Sequence, residues 1–498
     1  MQRVMQNMNA YIQKSLKYLI ILGLMYMPIF GHLDTLPIRI WDESRLAINS
    51  YEMLQNRDYI VTHYDGKPDM WNTKPPLLIW IQVLFMKMFG VNEFSVRLPS
   101  AIAAFLTCIT ILFFSVRYLT NFWFGFIAVF VLMTSHGYIN IHATRTGDYD
   151  ALLTLFTTLS GLLFFVYCEK QNYKYLYLFF LFTALAVLTK SITGLLFLPA
   201  IFLYSIIQKQ LIPLLKNKHF YIGLFSFLLV VVSYYLIREL YNPGYLKAVQ
   251  QNELGGRYLE ALENNKKSFW YYYTNFIDFQ LTAWYILIPC GLATGFFIKN
   301  QKINRLTLFS FLMIITFFIV ISFAQTKLEW YDVPLYPFIA IVIGIFIFYV
   351  FDLLQKNIII NQTLTVNVIP YVFLFILGIT PYQKIIAKTY KPKEYSWHKN
   401  FYEISYYLQD AVKNKHDINN QFIVYNGYNA HILFYVKKLN DKGISISFKD
   451  WKFLEPKDIV IVSQNKIKQY IEEHYINEII QKNGNILTYK IYERKNAN

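Results

Sequence analysis

Trp41-Asp42-Glu43-Ser44-Arg45 sets two acids and an arginine just after the first apolar stretch of the chain, and Thr73-Lys74-Pro75-Pro76-Leu77 follows further along. An acid beside a fixed cation can deprotonate a nucleophile and neutralise an anionic leaving group. Asp42 and Glu43 have no packing reason to stand there and are candidates for a buried polar reaction. The residues from Arg45 to Leu54 read as an amphipathic helix at a membrane interface. A carboxylate at its start is favoured by the helix N-terminus, so Asp42 also reads as an N-cap; capping and catalysis are compatible. Lys74 precedes two prolines, which hold it in extended backbone. It is a compact charge suited to a phosphate, or a lysine snorkelling from a helix end.

Four further blocks carry the same chemistry. Arg145-Thr146-Gly147-Asp148-Tyr149-Asp150 opens a long apolar run. Asp148 and Asp150 form a D-x-D candidate for a divalent ion, with solvated loop acids as the plain alternative; Asp150, nearer the apolar run, is the more buried candidate. Lys190 separates two apolar arms and either snorkels or adds positive potential to a phosphate pocket. Arg257 follows Asn252-Glu253-Leu254-Gly255-Gly256 and could fork onto a phosphate or carboxylate. Lys327, Glu329 and Tyr331 share the block 325–334; Tyr331 is a hydrogen-bond donor candidate, and Trp330 with Tyr331 also reads as an interfacial aromatic belt.

The elements that must position these residues are membrane helices. Of 498 residues 55% are hydrophobic and only 16% charged, with a net charge of +16, against about 25% charged in an average soluble domain. Mean hydropathy is +0.31. Uncharged runs such as 98–116, 151–168, 220–237, 306–326 and 333–351 are each long enough to cross a bilayer core of about 30 Å. The excess of basic residues reads as membrane anchoring, not nucleic-acid binding. Cys108, Cys168 and Cys290 read as small core residues.

Eleven spans are expected, near 16–33, 98–116, 120–136, 151–168, 174–189, 191–208, 219–238, 279–298, 306–324, 333–351 and 364–381. Residues 76–90 read as a shorter interfacial or re-entrant helix. No small-x-small cleavage pattern follows the first apolar stretch, which therefore reads as a retained span. Lysines and arginines fall mainly in alternate short loops, which puts the N-terminus inside. The segments 34–97, 136–150, the Lys190 hairpin, 239–278 and 325–332 then share the outer face. The expected architecture is an all-α polytopic domain over 1–381, whose first outer loop 34–97 carries interfacial helices. A small extracytoplasmic α/β domain follows over 382–498, with strands near 422–425 and 458–462 and a helix over 467–480.

Taken in order, Asp42-Glu43-Ser44-Arg45-Leu46-Ala47 with Glu52-Met53, Lys74-Pro75-Pro76-Leu77, Arg97-Leu98-Pro99-Ser100, Asp150-Ala151-Leu152-Leu153, Leu188-Thr189-Lys190, and Lys327 with Tyr331 and Pro334 resemble the GT-C polyprenyl-phosphate-sugar glycosyltransferases. The nearest branch is similar to the aminoarabinose lipid A transferases and the protein O-mannosyltransferases. The resemblance implies a sugar donor on a polyprenyl monophosphate such as undecaprenyl phosphate, an acceptor such as lipid A, a glycan or a protein, and inversion at the anomeric carbon. It implies a multi-pass protein of the cytoplasmic membrane with its site and C-terminal domain on the outer, periplasmic side. Asp42 would act as base and Asp150 as the second acidic position, shaping the acceptor site or helping to hold a divalent ion. Lys74, Arg257 and Tyr331, with Lys190 and Lys327, would bind the donor phosphate. The chain departs from the pattern at Thr73, where a glutamate can stand, and at Ser191, where glycine is common. The competing class is a transporter or flippase, which would carry charges at mid-span; here the charges cluster in the outer segments.

Overall fold

The computed structural model describes residues 2–256, 266–357 and 368–495, with side chains described from Ser15 onward except those of Leu254 and Asn357. Among the described residues, seven helices are long and apolar enough to cross a membrane. Five shorter apolar helices accompany them: Ser15–Phe30, Leu77–Phe89, Phe122–Met133, Leu198–Ile207 and Leu287–Phe297. Four of these five fall on expected spans; Leu77–Phe89 is the expected short helix. The first helices are α1 (Gln2–Phe30), α2 (Asp42–Asn56), α3 (Leu77–Phe89), α4 (Glu93–Phe114), α5 (Phe122–Met133), α6 (Tyr149–Lys170) and α7 (Tyr173–Lys190).

α6 is the hub, because nearly all of it is apolar or small and it packs against both α4 and α7. Its most apolar stretch is 89% buried, whereas that of the equally apolar helix Lys218–Tyr241 is 11% buried. The latter presents Phe225, Leu229, Val230 and Leu236 outward, as a helix does when lipid is its solvent. Burial of α6 fixes the direction of its first turn, which carries Asp150.

α2 was expected to lie open at the interface. Instead Glu43, Ser44 and every residue from Leu46 to Met53 are buried, between α3 and the C-terminal helix Ala430–Asp441. Its N-cap is Trp41, at φ 71°, with no side-chain capping bond. Asp42 is therefore the first helical residue, and the expected N-cap role is corrected.

The α/β domain begins after the long helix Ile369–Thr389, so the expected boundary at 382 falls inside that helix. Helix Ser396–Val412 leads into strands β3 (Gln421–Val424), β4 (Ile446–Phe448), β5 (Ile459–Val462), β6 (Tyr475–Asn483) and β7 (Ile486–Arg494); a short hairpin, β1 (His63–Tyr64) and β2 (Lys67–Pro68), lies in the first loop. The sheet order is β4-β3-β5-β7-β6, with β3 parallel to β4 and β5, and β7 antiparallel to β5 and β6. The helix expected over 467–480 ends at His474, and the chain continues as β6. There Ile476, Ile479 and Ile480 suit the pleated ladder with β7 better than a helix.

The domain is seated on the first loop. Arg39 forms a forked pair with Glu394 (2.6 and 2.9 Å) and lies 4.2 Å over the Tyr402 ring. Tyr435 accepts from the Ile38 amide (3.1 Å) and donates to Glu93 (2.7 Å). The backbone leading into Asp42 is thus held from the C-terminal side.

Candidate active site

The wall behind Asp42 is built by Glu43 and Arg97. Glu43 is fully buried. Its carboxylate accepts from Arg97 Nε (2.7 Å), the second Arg97 nitrogen (2.9 Å), the Arg39 amide (2.7 Å) and the Gly147 amide (2.9 Å). Arg97 also donates to the carbonyls of Leu33, Leu36 and Pro37. Burial pushes the Glu43 carboxyl up, but Arg97 and the two amides outweigh it and hold the group below the usual range. Glu43 therefore ties together α2, α4, the 33–39 segment and Gly147. A Cβ on Gly147 would stand 2.5 Å from Val96 Cγ1 and 2.7 Å from Val96 O, so only glycine permits this approach.

Gly147 leads into three consecutive residues with three different partners. Asp148 accepts from Thr146 and lies 3.1 Å from His142 Nδ1. Tyr149 exchanges hydrogen bonds with Asn72 (2.9 and 3.0 Å) and lies beneath Lys74, 5.5 Å from its ring centre. Asp150 receives both its hydrogen bonds from Lys190 Nζ, at 2.6 and 2.7 Å, in a buried pair. Lys190 in turn lies 5.0 Å over the Tyr331 ring. The departure at Ser191 has a structural counterpart: φ 52° and ψ −136° there belong to a region that favours glycine.

Asp148 and Asp150 were expected to share a divalent ion. Asp150 is instead committed to Lys190, and the cluster with metal-ligand geometry is Asp42, His142 and Asp148, whose ligand atoms lie within 4.8 Å of one another. The reason is the helix start: Asp148 is the extended residue before α6 and Asp150 lies in its first turn, so the two side chains leave the backbone toward different sides. Burial disfavours a charged His142, but Asp148, with Asp42 and Glu43 beyond it, raises its affinity for a proton above the ordinary histidine value. Its ring stacks on Trp330 at 3.7 Å, so Trp330 does more than line a membrane belt.

The candidate phosphate ligands are spread unequally. Lys74 is buried and pairs with Glu253 at 3.3 Å, and the Thr73 hydroxyl donates to the same carboxylate oxygen at 3.2 Å. Glu253 thus supplies an acid next to Thr73, where relatives can carry their own. Lys327 is buried and donates to the Ala324 carbonyl; burial and Lys266 lower its proton affinity. The structure does not bring it to the Lys74 or Lys190 pairs. Arg257 lies outside the described residues. Arg45 turns to Asp69 in a forked pair (2.6 and 2.8 Å) and covers the Tyr64 ring, which orders the hairpin.

His142, Glu253 and Asp332 are the residues the sequence reading passed over. Asp332 is 1% exposed, and neither carboxylate oxygen has a hydrogen-bond partner among the described residues. The available signal was location: all three fall in segments assigned to the outer face. A cavity of about 370 Å³ is apolar, lined by Trp123, Phe126, Phe130, Leu374 and Tyr382 among others, and touches none of these groups.

Residues 73–237 match the family model described as dolichyl-phosphate-mannose-protein mannosyltransferase. The chain is 25% identical over 336 residues to an uncharacterized protein of Aquifex aeolicus, covering 66% of this chain and 64% of that protein. It is 25% identical over 320 residues to an undecaprenyl phosphate-alpha-4-amino-4-deoxy-L-arabinose arabinosyl transferase of Aeromonas hydrophila, covering 63% of this chain and 56% of that protein. These matches thus span less than two thirds of the relatives' own length. Among solved structures, ArnT from Cupriavidus metallidurans bound to undecaprenyl phosphate superposes with TM-score 0.69 at 14% identity, covering 96% of this chain and 97% of that one. The chain has the GT-C fold, of the type shared by the aminoarabinose transferases and the protein mannosyltransferases.

Proposed function

We propose that the chain transfers a sugar from a polyprenyl monophosphate, such as undecaprenyl phosphate, to an envelope acceptor (lipid A, a glycan or a protein) at the outer face of the cytoplasmic membrane. The observation that carries this reading is the N-terminal end of α6, where Asp148, just before the helix, reaches His142, Tyr149 underlies Lys74, and Asp150 holds Lys190. Acidic and cationic groups meet at helix ends, as an interfacial reaction needs. A transporter would place them along the spans.

In this mechanism Asp42 takes the proton of the acceptor hydroxyl. The acceptor oxygen bonds to the anomeric carbon from the face opposite the phosphate, and the bond from that carbon to the phosphate oxygen breaks with inversion. Lys74 receives the charge of the leaving phosphate, exchanging Glu253 for it. Lys190, with Tyr331 on its cation, adds positive potential while Asp150 fixes its position.

Asp42, His142 and Asp148 also fit a divalent ion. They offer two carboxylates and an imidazole, and Asp148 Oδ1 is buried with no hydrogen-bond partner among the described residues. Bound there, an ion would add positive charge near the acceptor.

The test is Asp42→Asn. Transfer from undecaprenyl-phosphate sugar to envelope lipid, followed by mass spectrometry, is expected to fall at least 100-fold, with binding of undecaprenyl phosphate unchanged. Full activity in this variant would remove Asp42 from its role.

A further inference from the structure

A cavity of about 60 Å³ borders the Glu43–Arg97 pair, away from Lys74 and Lys190 in its lining. Five basic side chains line it: Arg39, Arg97, Arg145, Lys388 and Lys393. Two are neutralised, Arg39 by Glu394 and Arg97 by Glu43. The other three have no ion-pair partner among the described residues. Arg145 spends its donors on the backbone carbonyls of Pro28, Ile29, Gly31 and His32. Lys388 donates to His136 Nδ1 (2.8 Å) and Asn140 Oδ1 (2.7 Å), both neutral acceptors. Lys393 is exposed at the rim. Glu329 acts on Lys388 only from beyond ion-pair distance.

Three uncompensated cations around so small a space repel one another, and partial burial strengthens the repulsion. Burial, with the neighbouring Arg97, pushes the Arg145 guanidinium down to about 10. Arg39 adds a buried Nε with no hydrogen-bond partner. The surroundings are satisfied by an anion of more than one charge and small size. The cavity also lies where two apolar helices end, α1 at Phe30 and Ile369–Thr389 at Thr389, as a site for a lipid headgroup requires.

We propose that this cavity is a second phosphate site, which takes the phosphate of a lipid headgroup. It is separate from the Lys74 and Lys190 groups, and it stands whether or not the chain is a sugar transferase. The full-length protein in nanodiscs of phosphatidylcholine doped with dioleoyl phosphatidic acid tests it by native mass spectrometry. Phosphatidic acid is expected to be retained over phosphatidylcholine. R145Q/K388Q is expected to weaken retention at least tenfold and K393Q two- to fivefold, while K74A leaves it intact. Lys393 is exposed, so K393Q decides the matter if the double variant fails to fold. Unchanged retention in these variants, or loss with K74A instead, would overturn the assignment. Saturable binding of inorganic phosphate with no preference for phosphatidic acid would overturn the lipid source.

Discussion

Glu43→Gln is the most informative single substitution, because it keeps the shape of the side chain and removes only its charge. Both carboxylate oxygens accept two hydrogen bonds, and all four donors are N–H groups: two of Arg97, one of Arg39 and one of Gly147. An amide has one acceptor end, so its NH2 end must meet two donors wherever it points. Arg97 is also left buried without its counter-charge, cushioned only by the carbonyls of Leu33, Leu36 and Pro37. Breaking a buried ion pair from one side costs about 3–5 kcal/mol. The three carbonyls place Glu43→Gln near 3 kcal/mol, on the order of a hundredfold in the unfolding equilibrium. Arg97→Met strands those carbonyls as well and falls near the upper end of the same range, about 5 kcal/mol. The double variant Glu43→Gln/Arg97→Met should cost less than the sum, since neither charge is left alone. Equilibrium unfolding in mixed micelles, read by tryptophan fluorescence, measures all three. A Glu43→Gln protein as stable as the wild type, or strict additivity in the double variant, would refute the clamp. The pH dependence has a definite sign. The folded-state pKa of Glu43 is lowered, so its contribution is fully present above the ordinary glutamate value of about 4.3. It is lost as pH falls through the lowered folded value. The wild type should therefore show an acid-side loss of stability that Glu43→Gln lacks.

Lys74→Ala is expected to weaken binding of undecaprenyl phosphate at least tenfold, and Glu253→Gln to tighten it by freeing the lysine; equilibrium binding in detergent checks both, and unchanged affinity in Lys74→Ala would remove it from the phosphate site. Ser191→Gly should relieve a backbone conformation that costs about 1–3 kcal/mol while losing the hydroxyl contact with Tyr235 at 2.9 Å, worth about 1 kcal/mol. A thermal midpoint that rises or holds is expected, and a clear fall would show that the contact outweighs the strain. Zinc binding by calorimetry should be present in the wild type and lost in His142→Ala; equal binding in the two would clear Asp42, His142 and Asp148 of a metal role.

Much of the membrane part could be read in advance because a span is a local property: length and apolarity are enough, and no partner need be known. The helices that run short, such as Phe122–Met133 with 12 residues, reach about 18 Å and blurred the count without moving the loops. What the sequence could not show was pairing. Glu43 and Arg97 are 54 positions apart, and Lys74 and Glu253 are further still; nothing local marks either partner. The same limit explains α2. Its apolar stripe was visible, but the helix Ala430–Asp441 that covers it lies in the other domain. β6 was misjudged because 467–480 contains both a helical stretch and a β-branched one, and only β7 decides between them.

The block Asp148-Tyr149-Asp150 shows how far a motif can mislead about geometry while marking the right place. Read as D-x-D, it suggests two carboxylates converging on one ion. Asp148 instead stands in extended backbone just before α6, whereas Tyr149 and Asp150 are its first two helical residues, about 100° apart around the axis. One carboxylate then faces His142 and Asp42, the ring between them underlies Lys74, and the other carboxylate meets Lys190. A single helix start thereby serves both requirements of the proposed transfer, an acidic side for the acceptor and a cationic side for the phosphate. Their relative position depends on the direction of α6, which its deep burial fixes, and on Gly147, whose amide is bound to Glu43. Substituting Glu43 should therefore disturb both sides at once, whereas substituting Lys74 should disturb only the cationic one.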